Sequence, residues 1–214
     1  MSLSGKLITF EGPEGAGKST HAAALADRLQ EAGRAVLFTR EPGGTHLGEA
    51  VRSLLKDHDQ KAPAAATELF LFLACRSQLV EEVIRPALNA GTHVICDRFT
   101  DSTIAYQGYG RDFALAELPA LNALATGGLK PALTFLLDLE VEIGLRRVQG
   151  REAAAGAVAD RIERESLDFH RAVRSGYLEL AAREPDRFRC LDARRPPEEL
   201  RAEIWSIVQN VINS

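Results

Sequence analysis

Cysteine is scarce in this chain. Its 214 residues hold three, Cys75, Cys96 and Cys190, far apart and in no CxxC or Cys/His cluster. That excludes a disulfide framework and argues against zinc. Cys75 and Cys96 sit inside apolar runs, as buried, inert thiols do. An odd count without a framework predicts a reducing cytoplasm. Long apolar runs are missing as well. No stretch reaches the roughly 18 residues of a membrane helix, and Met1 to Phe10 has no apolar segment of signal-peptide length, so neither a span nor a leader is expected. There is no long basic block. Lys plus Arg is 26 against 30 for Asp plus Glu, a net charge of −4, so nucleic acid is not an expected partner. A local phosphate site stays open, because net charge says nothing about local fields. No internal repeat appears, and the composition fits neither disorder nor collagen.

What is present is alternation. Short apolar runs, Leu7–Phe10, Ala35–Phe38, His93–Cys96, Leu133–Leu137 and Arg189–Leu191, read as strands. Between them, helices are expected over 19–32, 46–55, 64–89, 115–125, 143–150, 162–183 and 197–211, with a break at Gly108-Tyr109-Gly110 and a mobile loop over 153–159. Trp205 is expected to anchor the last helix in the core. This pattern predicts an α/β fold, a five-stranded parallel sheet flanked by helices, in a single domain over 1–214. A chain of this length buries about 70% of the surface its unfolded form exposes, so it needs no staples.

Gly12-Pro13-Glu14-Gly15-Ala16-Gly17-Lys18-Ser19 matches GxxxxGK[ST], follows a strand and opens a helix with Thr20. A chance match in such a chain is on the order of 1 in 100. The glycines let backbone N–H groups turn inward on phosphate oxygens, and the helix N-terminus adds a positive dipole end. Lys18 supplies a point charge for the β- and γ-phosphates, Ser19 a hydroxyl for Mg2+. The bland alternative is a Gly-rich turn with a surface lysine. Asp97 ends the third strand, at the sheet edge where ligands bind in open α/β folds. It is assigned to Mg2+ through water; capping the next helix is its other reading.

A phosphate loop alone fits an NTPase, a switch GTPase or a small-molecule kinase. The NKxD of a GTPase is absent. Phe10-Glu11-Gly12 into the loop, Thr39-Arg40-Glu41-Pro42-Gly43-Gly44-Thr45, Asp97-Arg98-Phe99 and Ala105-Tyr106-Gln107-Gly108 resemble the thymidylate kinases of the bacterial type, in order and spacing from about Leu7 to Val211. The resemblance implies a P-loop NTPase fold with a lid, phosphoryl transfer from ATP to dTMP, Mg2+ as cofactor and a homodimer. Apolar residues near Phe70 to Leu79 would suit the dimer face, or internal packing. A deoxynucleoside kinase and a non-catalytic nucleotide switch are the rival classes.

Phe72 and Arg76 lie four apart on a helix and share a face. The resemblance implies that Phe72 stacks on thymine and that Arg76 reaches its O4, an acceptor where cytosine carries a donor. Without it, Phe72, within Leu69-Phe70-Leu71-Phe72-Leu73, reads first as core. The resemblance further places Thr103 and Gln107 at the acceptor nucleotide, Tyr106 where a 2′-hydroxyl would clash, and Glu14 near the sugar 3′-hydroxyl. An acid beside phosphates leaves a water-mediated metal contact open for Glu14. Arg98 can bridge the acceptor phosphate, and Arg40 and Pro42 border that site or form a surface loop.

Phosphoryl transfer requires charge neutralisation and exclusion of water. That predicts a closing segment rich in positive charge, placed at about 147–161. The bacterial type supplies its catalytic arginine from this lid, not from the phosphate loop, and here Pro13, Glu14 and Ala16 are indeed not arginine. Arg151 is expected to lead, with Arg147 and Arg161 assisting; solvated helix-face arginines paired with glutamate are the alternative. The small-residue run Ala153–Ala159 before Asp160-Arg161 departs from the compact Arg-rich lid of the family.

Overall fold

The computed structural model describes residues 4–56, 62–155 and 160–212. Strands β1, Leu7–Glu11, and β3, His93–Asp97, are buried along their whole length. β4, Leu133–Asp138, is buried up to its last residue. β2, Val36–Arg40, and β5, Phe188–Asp192, are more open and form the edges. The five strands run parallel in the order β2-β3-β1-β4-β5. Helices cover both faces, so the central strands read as continuous apolar runs with no polar side.

Helices α1, Lys18–Glu31, and α9, Pro197–Ile212, cover one face. Leu25, Leu29, Leu200, Ile204 and Val208 pack there against Ile8, Phe10 and Phe135. Trp205 lies at the margin of this core, half-buried, with the Arg28 guanidinium carbon 4.4 Å from its ring centre. On the other face, Leu79, Ile84 and Leu88 meet Leu7, Val94 and Cys96. Burial pushes the Cys75 thiol up to about 11 and Cys96 higher than its ordinary value too, so both are inert as expected. Cys190 is exposed.

Several boundaries differ from expectation. α2 is His46–Lys56. The helix expected over 64–89 is α3, Ala65–Leu79, a π-helical turn, Val80–Ile84, and α4, Arg85–Asn89. α5, Thr100–Thr103, continues as a second π-helical stretch, Ile104–Gly110, so Gly108 does not break it. α6 is Leu118–Thr126, with a proline in its first turn. α7, Val141–Ala155, takes in Ala153 and Ala154, expected as loop, because alanine is the best helix former; Gly156 to Ala159 lie outside the described residues. α8, Leu167–Arg183, starts later than expected, at Ser166, whose Oγ accepts from the Phe169 N–H at 3.1 Å. Residues 160–165 turn ahead of it, with Asp160 Oδ1 accepting from the N–H groups of Ile162 and Glu163 at 3.0 and 3.1 Å. No helix among the described residues is long and apolar enough to cross a membrane.

The register places the functional ends together. Asp97 pairs with Phe10 on one side and with Arg40 on the other. The C-terminal edge of β1, β2 and β3 is therefore one rim, where loops carry side chains off a rigid sheet.

Candidate active site

The phosphate loop rises from β1 and is pressed against α7. Gly15 has φ +71°, and a Cβ there would lie 2.2 Å from the Gly144 carbonyl oxygen; one on Gly144 would lie 2.2 Å from the Glu14 oxygen. Only glycine permits that crossing. α1 opens behind Gly17 with no side chain capping it, so its dipole end meets the cleft unmasked. Glu14, Gly15, Gly17, Lys18, Ser19 and Thr20 line the cleft. Gly12, Pro13 and Ala16 do not: the Ala16 side chain packs in the core, and the Pro13 carbonyl accepts from Lys18 Nζ at 2.7 Å. Burial and the Arg98 charge lower Lys18 to about 8.

Ser19 Oγ donates to Asp97 Oδ2, while Asp97 Oδ1 is buried without a partner. An orphaned carboxylate oxygen beside a hydroxyl, next to a phosphate loop, has the chemistry of a hard-cation site. The residues assigned to Mg2+ therefore fit the ion, and capping is not what Asp97 does here.

Arg98 adopts a left-handed backbone, φ +71°, rare for a residue with a side chain. Its N–H donates to the Phe10 carbonyl at 2.9 Å, and the next N–H, of Phe99, donates to Glu11 Oε1 at 2.7 Å. Strain held by buried partners is characteristic of functional turns. Here it aims the guanidinium at Glu14, with Nη2 2.6 Å from Oε1. The Tyr106 hydroxyl donates to the same oxygen at 2.7 Å, and the Arg98 guanidinium carbon lies 4.9 Å from the Tyr106 ring centre. Burial alone would raise Glu14, but the Arg98 and Lys18 charges outweigh it and hold the carboxyl at about 2. Glu11 goes the other way, to about 7, because burial and Asp101 outweigh Ser102 and Arg98.

Arg76 lines the cleft with Phe72 and Thr103, as expected. It is buried, and Nε donates to Glu41 Oε2 at 2.9 Å, Nη1 to Thr103 Oγ1 at 2.6 Å and Asn122 Oδ1 at 2.7 Å, and Nη2 to Glu41 and to the Phe99 carbonyl at 2.9 Å. All five N–H groups of the fork are committed to the protein. In this arrangement a contact from Arg76 to a base oxygen would have to share or replace one of these partners, with Thr103 beside it. Phe72 lines the cleft and also packs on the core of Val51, Leu55 and Cys75. Gln107 lines the cleft and donates from Nε2 to Glu68 at 3.2 Å. Arg40 and Pro42 line it too, with Arg40 Nη2 2.9 and 3.0 Å from the two Glu49 oxygens.

The three lid arginines separate. Arg151 lines the cleft, 66% exposed, and pairs with Glu163 at 3.0 Å. Arg147 lies on the far side of the loop, with Nη1 3.4 Å from the Gly15 oxygen and 3.1 Å from the Ala193 oxygen. Arg161 is not directed at the cleft at all: its guanidinium donates to Glu68 at 2.7 Å and to the Leu55 carbonyl at 3.3 Å. A buried carboxylate captured it, which no spacing rule predicts.

Sequence reasoning missed Arg52, Ser102, Tyr177 and Asn122. Arg52 lines the cleft and donates to the Pro42 carbonyl at 2.8 Å. Its place one helical turn before Lys56, another cleft residue, was the available signal. Ser102 and Tyr177 contact each other at 2.8 Å and both reach Glu11, at 2.6 and 2.9 Å. Tyr177 comes from α8, 166 positions from Glu11, and nothing local marks it.

A family model described as thymidylate kinase matches residues 10–204. The chain is 54% identical to a thymidylate kinase of Desulfovibrio desulfuricans over 94% of each chain. It is 52% identical to one from Deinococcus radiodurans, covering 95% of this chain and 96% of the other. Among solved structures, a thymidylate kinase of Ehrlichia chaffeensis matches with a TM-score of 0.75 at 32% identity, over 95% of this chain and 98% of that one.

Proposed function

Because this chain belongs to the thymidylate kinase family and phosphorylates dTMP to dTDP with ATP, we propose a division of labour among the residues of its cleft. Lys18, Ser19, Thr20 and the loop backbone hold the ATP phosphates. Ser19 and Asp97 hold Mg2+, which when bound supplies charge between the β- and γ-phosphates. Arg98 and Arg52 hold the acceptor phosphate, with Arg40 and Pro42 at its border. Tyr106, pinned by Glu14, fills the space beside the sugar. Phe72 lies under the base, and Gln107 and Thr103 at its edge. With a lone pair of Thr103 given to Arg76, its proton remains for an acceptor such as thymine O4.

The acceptor phosphate is largely dianionic near neutral pH, its second pKa being about 6. Its oxygen can attack the γ-phosphorus as the bond to ADP breaks, with no general base. The protein's work is positioning and charge neutralisation. Arg151, which lines the cleft with its side chain 66% exposed, is assigned to the transferring group.

The observation that carries this reading is that the loop lysine, the orphaned Asp97 oxygen and the Arg98–Glu14–Tyr106 cluster meet in one cleft. The test is a coupled assay of ADP release with Mg2+–ATP and dTMP, dUMP, dCMP, AMP or thymidine. Wild type should turn over dTMP fastest and dCMP weakly. Lys18→Ala should lose at least about 1,000-fold in kcat while keeping its circular dichroism. Undiminished turnover in that variant would remove Lys18 from the donor site, and wild-type turnover of dCMP equal to dTMP would remove Thr103 from base selection.

The chain is read further as one domain with a lid at 147–161, and as a homodimer in the cytoplasm. Supporting the dimer, Leu54 of α2, Phe70 of α3 and Leu124 of α6 are 54%, 60% and 81% exposed, and α3 packs against both of the other helices. Leu79, at the far end of the expected face, is internal instead.

A further inference from the structure

Glu68, in the first turn of α3, is a buried acid that phosphoryl transfer does not use. Its carboxylate gathers donors from two separate parts of the chain, 107–111 and Arg161. Gln107 Nε2 and Arg111 Nε reach Oε1, each at 3.2 Å. Arg111 Nη2 and Arg161 Nη2 reach Oε2 at 3.3 and 2.7 Å. Arg111 continues to Glu165 at 2.6 Å, and its guanidinium carbon lies 4.7 Å from the Phe169 ring centre. Two arginines and two glutamates balance, so the cluster requires no ligand charge. Burial would raise Glu68, but hydrogen bonds from Arg111 and Arg161 outweigh it and keep it an anion.

One end of this cluster is Gln107, at the acceptor nucleotide. The other is the segment 160–165 that follows α7. That segment is tied to α7 by Arg151–Glu163 at 3.0 Å, and to α2 by Lys56–Asp160 at 2.8 Å and by Arg161 to the Leu55 carbonyl. Glu68 is where the two ends share a carboxylate. We infer that Glu68 is a positioning residue that couples the acceptor pocket to the arginine-bearing donor side: a shift of Gln107 on binding dTMP changes the geometry offered to Arg161, and through Glu163 the setting of Arg151. This rests on the reading of Gln107 as an acceptor contact. Coupling of this kind is reciprocal, so each nucleotide strengthens binding of the other by the same factor.

The experiment is calorimetric titration of the full chain with dTMP, with a non-hydrolysable ATP analogue plus Mg2+, and with each in the presence of the other. Wild type should show a coupling factor of about 10. Glu68→Gln and Arg161→Gln should each reduce it to near 1, and the double variant no further, since they break one link. If Glu68→Gln fails to fold, Arg161→Gln decides alone. A wild-type factor near 1, or a wild-type factor retained in the folded variants despite a lower melting temperature, would overturn the inference and leave Glu68 merely structural. Gln107→Ala separates the two levels. Unchanged dTMP affinity in that variant would break the acceptor-site reading itself. Weakened dTMP binding with coupling intact in the other two would break only the role of Glu68.

Discussion

At Arg76 the side chain expected at the base also holds the pocket wall together, through Glu41, Thr103 and Asn122. Burial pushes Glu41 up while Arg76 pulls it down, with burial the larger. Removing one member of such a pair leaves an uncompensated buried group, at a cost of about 3–5 kcal/mol. Arg76→Met should therefore lower urea stability by that amount, and Glu41→Gln in the same chain should recover part of it. A variant as stable as wild type would show that the pair is not buried in solution. Lys18 makes a different residue-scale prediction. With its amine lowered to about 8 by burial and Arg98, it is charged below that pH and neutral above it. In the free enzyme, kcat/KM for ATP should fall as pH rises through about 8, while kcat, measured with phosphates bound, should hold to higher pH. A kcat/KM profile flat to about pH 9.5 would exclude Lys18 as the group that titrates.

Among the elements, the contact between α7 and the phosphate loop matters most. It is backbone on backbone, so adding one methyl is a large change. Gly144→Ala must displace the Glu14 carbonyl, since its Cβ would start 2.2 Å away. The KM for ATP should rise at least about tenfold, because misplacing a binding loop by an ångström is costly. Gly150, in the same helix, has open space where a methyl would go, with no neighbouring atom within 4 Å. Gly150→Ala should leave kinetics alone and stabilise by about 0.5–1 kcal/mol through helix propensity. Equal kinetics in the two variants would contradict the tight crossing. The stretch Ile104–Gly110 teaches a second lesson at this scale. Its π-helical winding rotates Tyr106 and Gln107 relative to an α-helix, and such windings recur at functional sites. Hydrophobic spacing carries no mark of it, so the glycines looked like a break.

For the whole molecule, the exposed apolar side chains on α2, α3 and α6 predict association. Phe70 is 60% exposed and contributes little to the monomer's core. Phe70→Glu should convert a dimer in sedimentation analysis to a monomer with little change in melting temperature. A wild-type monomer at micromolar concentration would remove the dimer.

Local patterns carried much of this protein. Strand composition and alternation with helices determined a parallel α/β sheet, because strands buried on both faces must be apolar throughout. The loop from Gly12 to Ser19 and the Asp97-Arg98 pair were legible because their chemistry depends on residues adjacent in the chain, and a strand end presents them directly. Tertiary structure alone decided what each charged side chain meets. Arg76 faces Glu41, Thr103 and Asn122; Arg161 faces Glu68; Tyr177 joins Glu11 and Arg98 from α8. Those partners lie 27 to 166 positions apart. A buried cation takes whichever carboxylate the fold brings within about 3 Å, because leaving it unpaired costs more than any local preference can offset.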